Sequence, residues 1–321
     1  MADKVRICCI GCGGMASSQH YPSLAEMQDV ELVALSELDE AKMQAGVEKF
    51  GFPKTYADYR EMVETEKPDA VYALMPPMHI FPVLEYLLSH GHNTFTEKPP
   101  ALTLYQGRVL VDLIEKNGNI TMVGYQRKWV PLVRKMRELV EERGPLDQFT
   151  VGFHKNGAAG LYYGGAIDVL TCDASHMVDC LLWLGGSDPV DVVSAVRNST
   201  TDSNCKYNAL VAFEDDRTGF FSANWNSGTR YLELEIHGNG CVARSDVENT
   251  GTYYDRDHPA GITLTAQEAA GSDVGYRAMG FFDQSRHFID CVKSGEQPVG
   301  SYPSAYKTME LVEAFYANSM I

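Results

Sequence analysis

Five short apolar runs alternate with helical stretches over the first third of the chain. No other feature restricts the fold as much. The runs lie at 5–10, 30–36, 69–75, 92–100 and 120–126. Helical stretches follow the first four: one from about Met15, then DEAKMQAGVEKF, HIFPVLEYLLSHG and LYQGRVLVDLIEKNG. Strands separated by helices predict a parallel sheet covered on both faces.

After Gly124 the order changes. A helix at about 131–143 ends at Gly144 and Pro145. The strand DQFTVGFH and the loop NGAAGLYYGG lead into a helix at about 166–184. Then VDVVSAVRN, KYNALVAFED, TGFFSANWN, YLELEIHGN and GCVARSD succeed one another without helices. Such a succession predicts a large, mainly antiparallel sheet. Helices follow near 281–294 and 303–319. The length, 321 residues, exceeds what one hydrophobic core usually spans. Two domains are expected, one over 1–123 and one over 124–321.

The first run opens VRICCIGCGGMASSQHYPSL, residues 5–24. Gly11, Gly13 and Ala16 form a Gly-x-Gly-x-x-Ala between a strand and a helix, with Gly14 and Met15 inside it. Gly11 permits the tight turn, Gly13 leaves room for a pyrophosphate, and Ala16 lets helix and strand pack closely. The helix N-terminus offers N–H groups and partial positive charge to phosphate. The second strand ends at Ser36-Glu37, where an acidic side chain can accept the adenosine ribose hydroxyls. Glu37 would repel the extra phosphate of NADP, and no Arg or Lys follows it directly, so NAD is the expected cofactor.

Cys9 and Cys12 also form a Cys-x-x-Cys, which elsewhere marks redox couples or half of a metal site. Against this, Cys9 falls inside a buried strand, where cysteine acts as a small apolar residue. No second Cys-x-x-Cys completes a tetrahedral site.

Lys and Arg number 27 against 43 Asp and Glu, a formal charge of −16. That balance disfavours nucleic acid and anionic membranes as partners. It does not exclude an anionic substrate, because a few local cations can decide a site. No stretch is long enough to span a bilayer. The start of the chain lacks a leader pattern, and eight Cys are scattered without a disulfide framework. A cytoplasmic protein is the expectation.

HNTFTEKPP, residues 92–100, ends the fourth run. Ligands of open parallel sheets bind at the carboxyl ends of strands. Pro99 disfavours helical geometry at Lys98, which can hold the ammonium over a cleft. A lysine partly removed from water has a lowered pKa and exchanges protons near neutrality. A solvated lysine at a helix start is the competing reading, and the strand-end position favours the first.

IGCGGMA, MPPMHIF, TEKPPAL, VGYQRKWVP and SHMVDCLLWLGG fall in the order and spacing of the glucose–fructose oxidoreductase, inositol dehydrogenase and rhizopine-catabolism family (Gfo/Idh/MocA). The chain resembles that family over nearly its whole length, least over 190–280. The resemblance implies an α/β protein: an N-terminal Rossmann dinucleotide-binding domain plus a C-terminal α/β domain with a large, mainly antiparallel open sheet. It further implies a homodimer or homotetramer and NAD(P)-dependent oxidation or reduction of a sugar or cyclitol. Lys98 matches the family's active-site lysine, within Glu97-Lys98-Pro99. Pro76 and His79 match a segment lying along the cofactor. Gln126 and Arg127 match positions near nicotinamide and substrate.

IDVLTCDASHMVDCLLWLGG, 167–186, supplies the remaining candidates. The family's catalytic His follows an Asp by four residues and precedes another by three. His176 and Asp179 match, but Cys172 stands where the first Asp belongs, with Asp173 one residue later. At about 100° per residue, Cys172, Asp173, His176, Asp179 and Cys180 share one helix face. His176 is the expected proton acceptor, assisted by Asp173. Cys172, His176 and Cys180 also have a spacing that can bind zinc, and a hydrogen-bonded core histidine is the plainest alternative. His154 and Tyr162, flanking the Gly- and Tyr-rich loop, are candidate substrate contacts, equally compatible with a surface turn and core aromatics. Two other functions stay open on the sequence: a redox-neutral, NAD-dependent glycosidase or lyase working through a keto-sugar, and a non-catalytic ligand sensor.

Overall fold

The computed structural model describes residues 4–157, 162–198 and 203–320. Residues 158–161 of the Gly- and Tyr-rich loop lie outside them. Two compact units form: residues 1–125 with 281–306, and residues 126–280 with 307–321.

The first unit holds six parallel strands. They are β1 (Val5–Ile10), β2 (Val30–Ser36), β3 (Thr55–Tyr56), β4 (Ala70–Ala73), β5 (Thr94–Thr96) and β6 (Thr121–Val123), in the order β3-β2-β1-β4-β5-β6. The order reverses between β1 and β4. That switch point is where such sheets open a crevice at the carboxyl ends of their strands. Local sequence sets the helix limits. Asp39 caps Glu40–Phe50 by accepting from the N–H groups of Ala41 and Lys42, and Thr103 caps Leu104–Asn117 through Gln106 N. Each of these helices ends at a glycine with positive φ, Gly51 and Gly118. Val33, Val71, Leu84, Leu110 and Val123 are among the buried residues that fill this unit's core.

The helix Phe281–Ser294 also belongs to the first unit. A division at residue 123 assigns it to the second domain. Its buried face explains the difference: Phe288 meets the rings of Tyr72 and Phe95 edge-on at 5.7 Å. Gln284 donates to the Val123 carbonyl at 2.9 Å, and Arg286 and Lys293 both bind Asp29. The linear order of helices carries no sign of that return.

The second unit holds eight strands. They are β7 (Leu146–Asn156), β8 (Pro189–Arg197), β9 (Lys206–Phe213), β10 (Thr218–Asn224), β11 (Asn226–Gly238), β12 (Cys241–Asp246), β13 (Thr250–Tyr254) and β14 (Ile262–Thr265). Their order is β14-β13-β12-β11-β7-β10-β9-β8. All pairs are antiparallel except β7 with β10. β13 and β14 go beyond the sequence reading, as does the helix Tyr59–Glu66. Phe149, Val151 and Phe153 alternate along β7 into a core shared with Met177, Leu181 and Leu184 of the helix Ser175–Gly185.

Among the described residues, no helix is long and apolar enough to cross a membrane.

Candidate active site

The Gly-rich loop leaves the carboxyl end of β1. Gly11 adopts φ +88°, and a Cβ there would lie 2.2 Å from the Leu74 carbonyl oxygen. Gly13 and Gly14 differ. A Cβ on either would meet no protein atom within 4 Å, so internal packing does not demand glycine there. A bare backbone at these two positions fits the close approach of a pyrophosphate. The first intrahelical bond runs from Ser17 N to Gly13 O, at 3.0 Å. The N–H groups of Gly14, Met15 and Ala16 therefore stay outside the helical ladder. Met15 is exposed and Ala16 buried.

Glu37 does more than the sequence predicts. Its carboxylate accepts from Cys12 N at 2.7 Å, Leu38 N at 2.8 Å and Asp39 N at 3.0 Å. It thus shapes the loop while one of its roughly four lone-pair positions is left for another donor. Cys9 is fully buried, and burial pushes its thiol well above the ordinary range. An exchange-active thiol needs the opposite shift. Among the described residues, no three His, Cys, Asp or Glu side chains gather as a metal site.

Lys98 follows β5 at the same carboxyl edge of the sheet, two strands from β1, and is half-buried. Its peptide with Pro99 is cis. Its N–H donates to Glu97 Oε2 at 3.1 Å, and Tyr302 donates to the next carbonyl but one, Pro100 O, at 3.1 Å. Glu97 Oε1 lies 2.6 Å from Nε2 of His20, which is fully buried. Burial alone would raise Glu97. The bond and charge of His20, with the charge of Lys98, bring it below its ordinary value instead. Sequence reasoning missed His20. Pro76 and His79 sit at the exposed end of β4, just after the Leu74 carbonyl that faces Gly11.

In the second unit, the helix carrying His176 opens with a π turn, Leu170–Ala174, before the α-helix Ser175–Gly185. That turn breaks the regular spacing assumed from sequence. Asp173 and Asp179 consequently have different partners. Asp173 Oδ2 accepts from Lys155 Nζ at 2.9 Å and from the Tyr162 hydroxyl at 2.6 Å. Trp225 Nε1 donates to the same hydroxyl at 3.1 Å. Burial would lower Lys155, but Asp173 and Tyr162 raise it, so it stays an ammonium. Tyr162 is raised by burial and by Asp173, so it stays a phenol. Asp179 Oδ1 instead binds Lys128 Nζ at 3.0 Å and Thr308 at 3.4 Å, with Lys128 and Asp179 both buried. His176 is 7% exposed and Cys172 3%.

Gln126 and Arg127 are buried where the second unit begins. Arg127 binds Glu248 at 2.8 Å, and Arg230 binds the same carboxylate. Burial would raise Glu248, but Arg230 and Arg127 bring it below its ordinary value.

The strand β7 sends the candidate His154 and its neighbour Lys155 to opposite sides. Successive residues point to opposite faces. Lys155 shares the face of Phe153 and reaches Asp173. His154 points the other way, stacking on Tyr231 at 4.5 Å with Nε2 3.4 Å from Glu233. His154 is therefore apart from the Asp173, Tyr162 and Lys155 group. The period-two pattern of β7 holds the signal that favours Lys155.

Residues 5–125 match the Gfo/Idh/MocA family, an oxidoreductase family with an NAD-binding Rossmann fold. The chain is 25% identical to the D-glucoside 3-dehydrogenase of Escherichia coli, over 99% of this chain and 96% of that protein. It is 29% identical to the myo-inositol 2-dehydrogenase of Thermotoga maritima, over 92% and 91%. A dehydrogenase structure from Chromobacterium violaceum superposes with a TM-score of 0.89 at 21% identity, covering 99% of this chain and 96% of that one. The parallel sheet with its Gly-rich loop, the mainly antiparallel second sheet and these matches agree: residues 5–125 carry the NAD-binding Rossmann fold of the Gfo/Idh/MocA oxidoreductase family, and the chain is similar to such dehydrogenases over nearly its whole length.

Proposed function

We propose that this enzyme transfers a hydride between NAD and a secondary alcohol or ketone carbon of a sugar, sugar derivative or cyclitol. One observation carries the reading. The Gly-rich loop after β1 and Lys98 after β5 stand at one carboxyl edge of a parallel sheet whose order reverses at β1 and β4. The relatives' names, a glucoside and an inositol dehydrogenase, support the substrate class.

The backbone of Gly13, Gly14, Met15 and Ala16 would hold the pyrophosphate, Glu37 a ribose, and Pro76, His79, Glu97 and Gln126 the remainder of the cofactor. Bound NAD supplies the hydride acceptor. Lys98 stabilises the developing alkoxide electrostatically. His176 takes the hydroxyl proton, with Asp173 assisting. Arg127 and Tyr162 are assigned to substrate binding.

A panel of sugars, inositols and glycosides, assayed with NAD and NADP for absorbance change at the reduced-nicotinamide band, tests the class. Lys98→Met is expected to abolish turnover with NAD binding retained. Full turnover in that variant overturns the role of Lys98.

A further inference from the structure

We infer that His20 is a positioning residue for Lys98, acting through the carboxylate of Glu97. The inference rests on the proposed role of Lys98. His20 ends the π turn Ala16–His20, in the helix that begins at the Gly-rich loop. π turns inside α-helices recur at functional sites. The imidazole is fully buried, and Phe95 and Phe281 meet it edge-on at 5.2 and 5.4 Å. Its Nε2 is 2.6 Å from Glu97 Oε1. Nδ1 has no hydrogen-bond partner among the described residues, so the Glu97 bond is the ring's one polar anchor.

The carboxylate is confined in turn. A Cβ on Gly124 would lie 3.1 Å from Glu97 Oε1, tighter than ordinary van der Waals contact, so a side chain there would press on the carboxylate. The other oxygen, Oε2, accepts from the Lys98 N–H at 3.1 Å. Both the neutral Nε2–H tautomer and the imidazolium donate to Oε1. One buried pair thus joins the helix that would cradle the cofactor phosphates to the strand end that carries Lys98.

Without the imidazole, the confined carboxylate loses its strongest partner and reorients or takes up a proton. The main chain at Lys98 then loses the hydrogen bond from its N–H to Glu97 Oε2. A displaced catalytic group costs rate even when binding persists, by up to about a hundredfold for a 1 Å error. His20 was not part of the sequence reading, because its role requires residues 77 positions apart to meet.

The full-length His20→Phe and His20→Gln variants test this, with the best substrate from the panel. His20→Phe is expected to lower kcat by at least about tenfold, with the Kd for NAD within about threefold of the parent. His20→Gln keeps an N–H donor near the Nε2 position and is expected to restore kcat to within about threefold. A purely structural role would lower the melting temperature without separating these two variants in kcat. If His20→Phe does not fold, His20→Asn replaces it, since its shorter amide cannot span to Glu97. More than half of the parent kcat in His20→Phe or His20→Asn, or equal impairment in His20→Gln, overturns the inference. Parent-level turnover in Lys98→Met instead overturns the assignment of Lys98, whatever the His20 variants do.

Discussion

Lys155 Nζ lies 2.9 Å from Asp173 Oδ2, joining β7 to the helix of His176 at its π turn. The side chains are 32% and 20% exposed, so water screens the pair and its direct contribution to stability is small. Its effect is on aim: Lys155 and Tyr162 both hold one carboxylate oxygen, Oδ2, and so fix the direction of the Asp173 side chain. Lys155→Met and Asp173→Asn are each expected to lower kcat/KM by about tenfold or more. The double variant is expected to fall no further than the worse single one, because residues in one network are not additive. A double-mutant cycle in kcat/KM reads this directly, and additive losses would show that the two act separately.

Lys128 and Asp179 form a different kind of pair, with both side chains only 3% exposed. Burial raises Asp179 despite Lys128, so desolvation dominates over the attraction. Removing one partner strands a buried charge. Lys128→Met is expected to cost about 3–5 kcal/mol in urea unfolding, whereas Lys128→Met with Asp179→Leu recovers most of that loss. Equal loss in single and double variants would show that the pair itself is favourable.

Much of this was legible in the sequence, and the reasons are physical. The alternation of strands and helices, the Gly-rich turn and the later succession of strands without helices are local signals, and both sheets follow from them. Lys98 could be singled out as a candidate because a strand end and a following proline are adjacent in sequence. His20 and Glu248 became visible as site neighbours only through contacts across long stretches of chain. The partners of Asp173 were not legible in the sequence, because a π turn has no clear compositional mark. His154 and Lys155 show the converse case. Strand periodicity distinguishes them, and that signal was available from Phe149, Val151 and Phe153 onward.

The proposed preference for NAD over NADP rests on Glu37. Its carboxylate already accepts three backbone N–H groups, so its charge is fixed at the end of β2. A second phosphate there meets a like charge. Glu37→Gln is expected to narrow the preference for NAD over NADP by about tenfold, each 1.4 kcal/mol of lost repulsion being one such factor. The ratio of kcat/KM with the two cofactors measures it. An unchanged ratio would remove Glu37 as the discriminating residue.

Acid should weaken the first unit through Glu97. Its folded pKa is below the unfolded value of about 4.3. The sign follows from linkage: its contribution is fully present above the unfolded pKa and is lost as pH falls through the lowered folded one. Glu97→Gln is therefore expected to lower the urea midpoint at pH 7 and to flatten its decline between about pH 5 and pH 3. A parallel decline in parent and variant would show that other carboxylates carry the acid sensitivity.

Two glycines in one loop are expected to fail in opposite ways. At Gly11, φ is +88° and a Cβ would sit 2.2 Å from the Leu74 carbonyl oxygen. Backbone and β4 must both shift to admit it, so Gly11→Ala is expected to cost several kcal/mol, about 2 or more, and to lower the melting temperature of the apo protein. At Gly13 a Cβ meets no protein atom within 4 Å, and φ lies outside the left-handed region. Alanine there leaves the chain's own packing intact, and it stabilises the unfolded chain less than glycine does. Gly13→Ala is therefore expected to melt at or slightly above the parent temperature while binding NAD about tenfold or more weakly, since the methyl group occupies the space a pyrophosphate needs. Calorimetric NAD titration and apo melting together separate the two effects. Unchanged NAD affinity in a folded Gly13→Ala protein would mean that the phosphates do not approach this loop, and the cofactor assignment would fall with it.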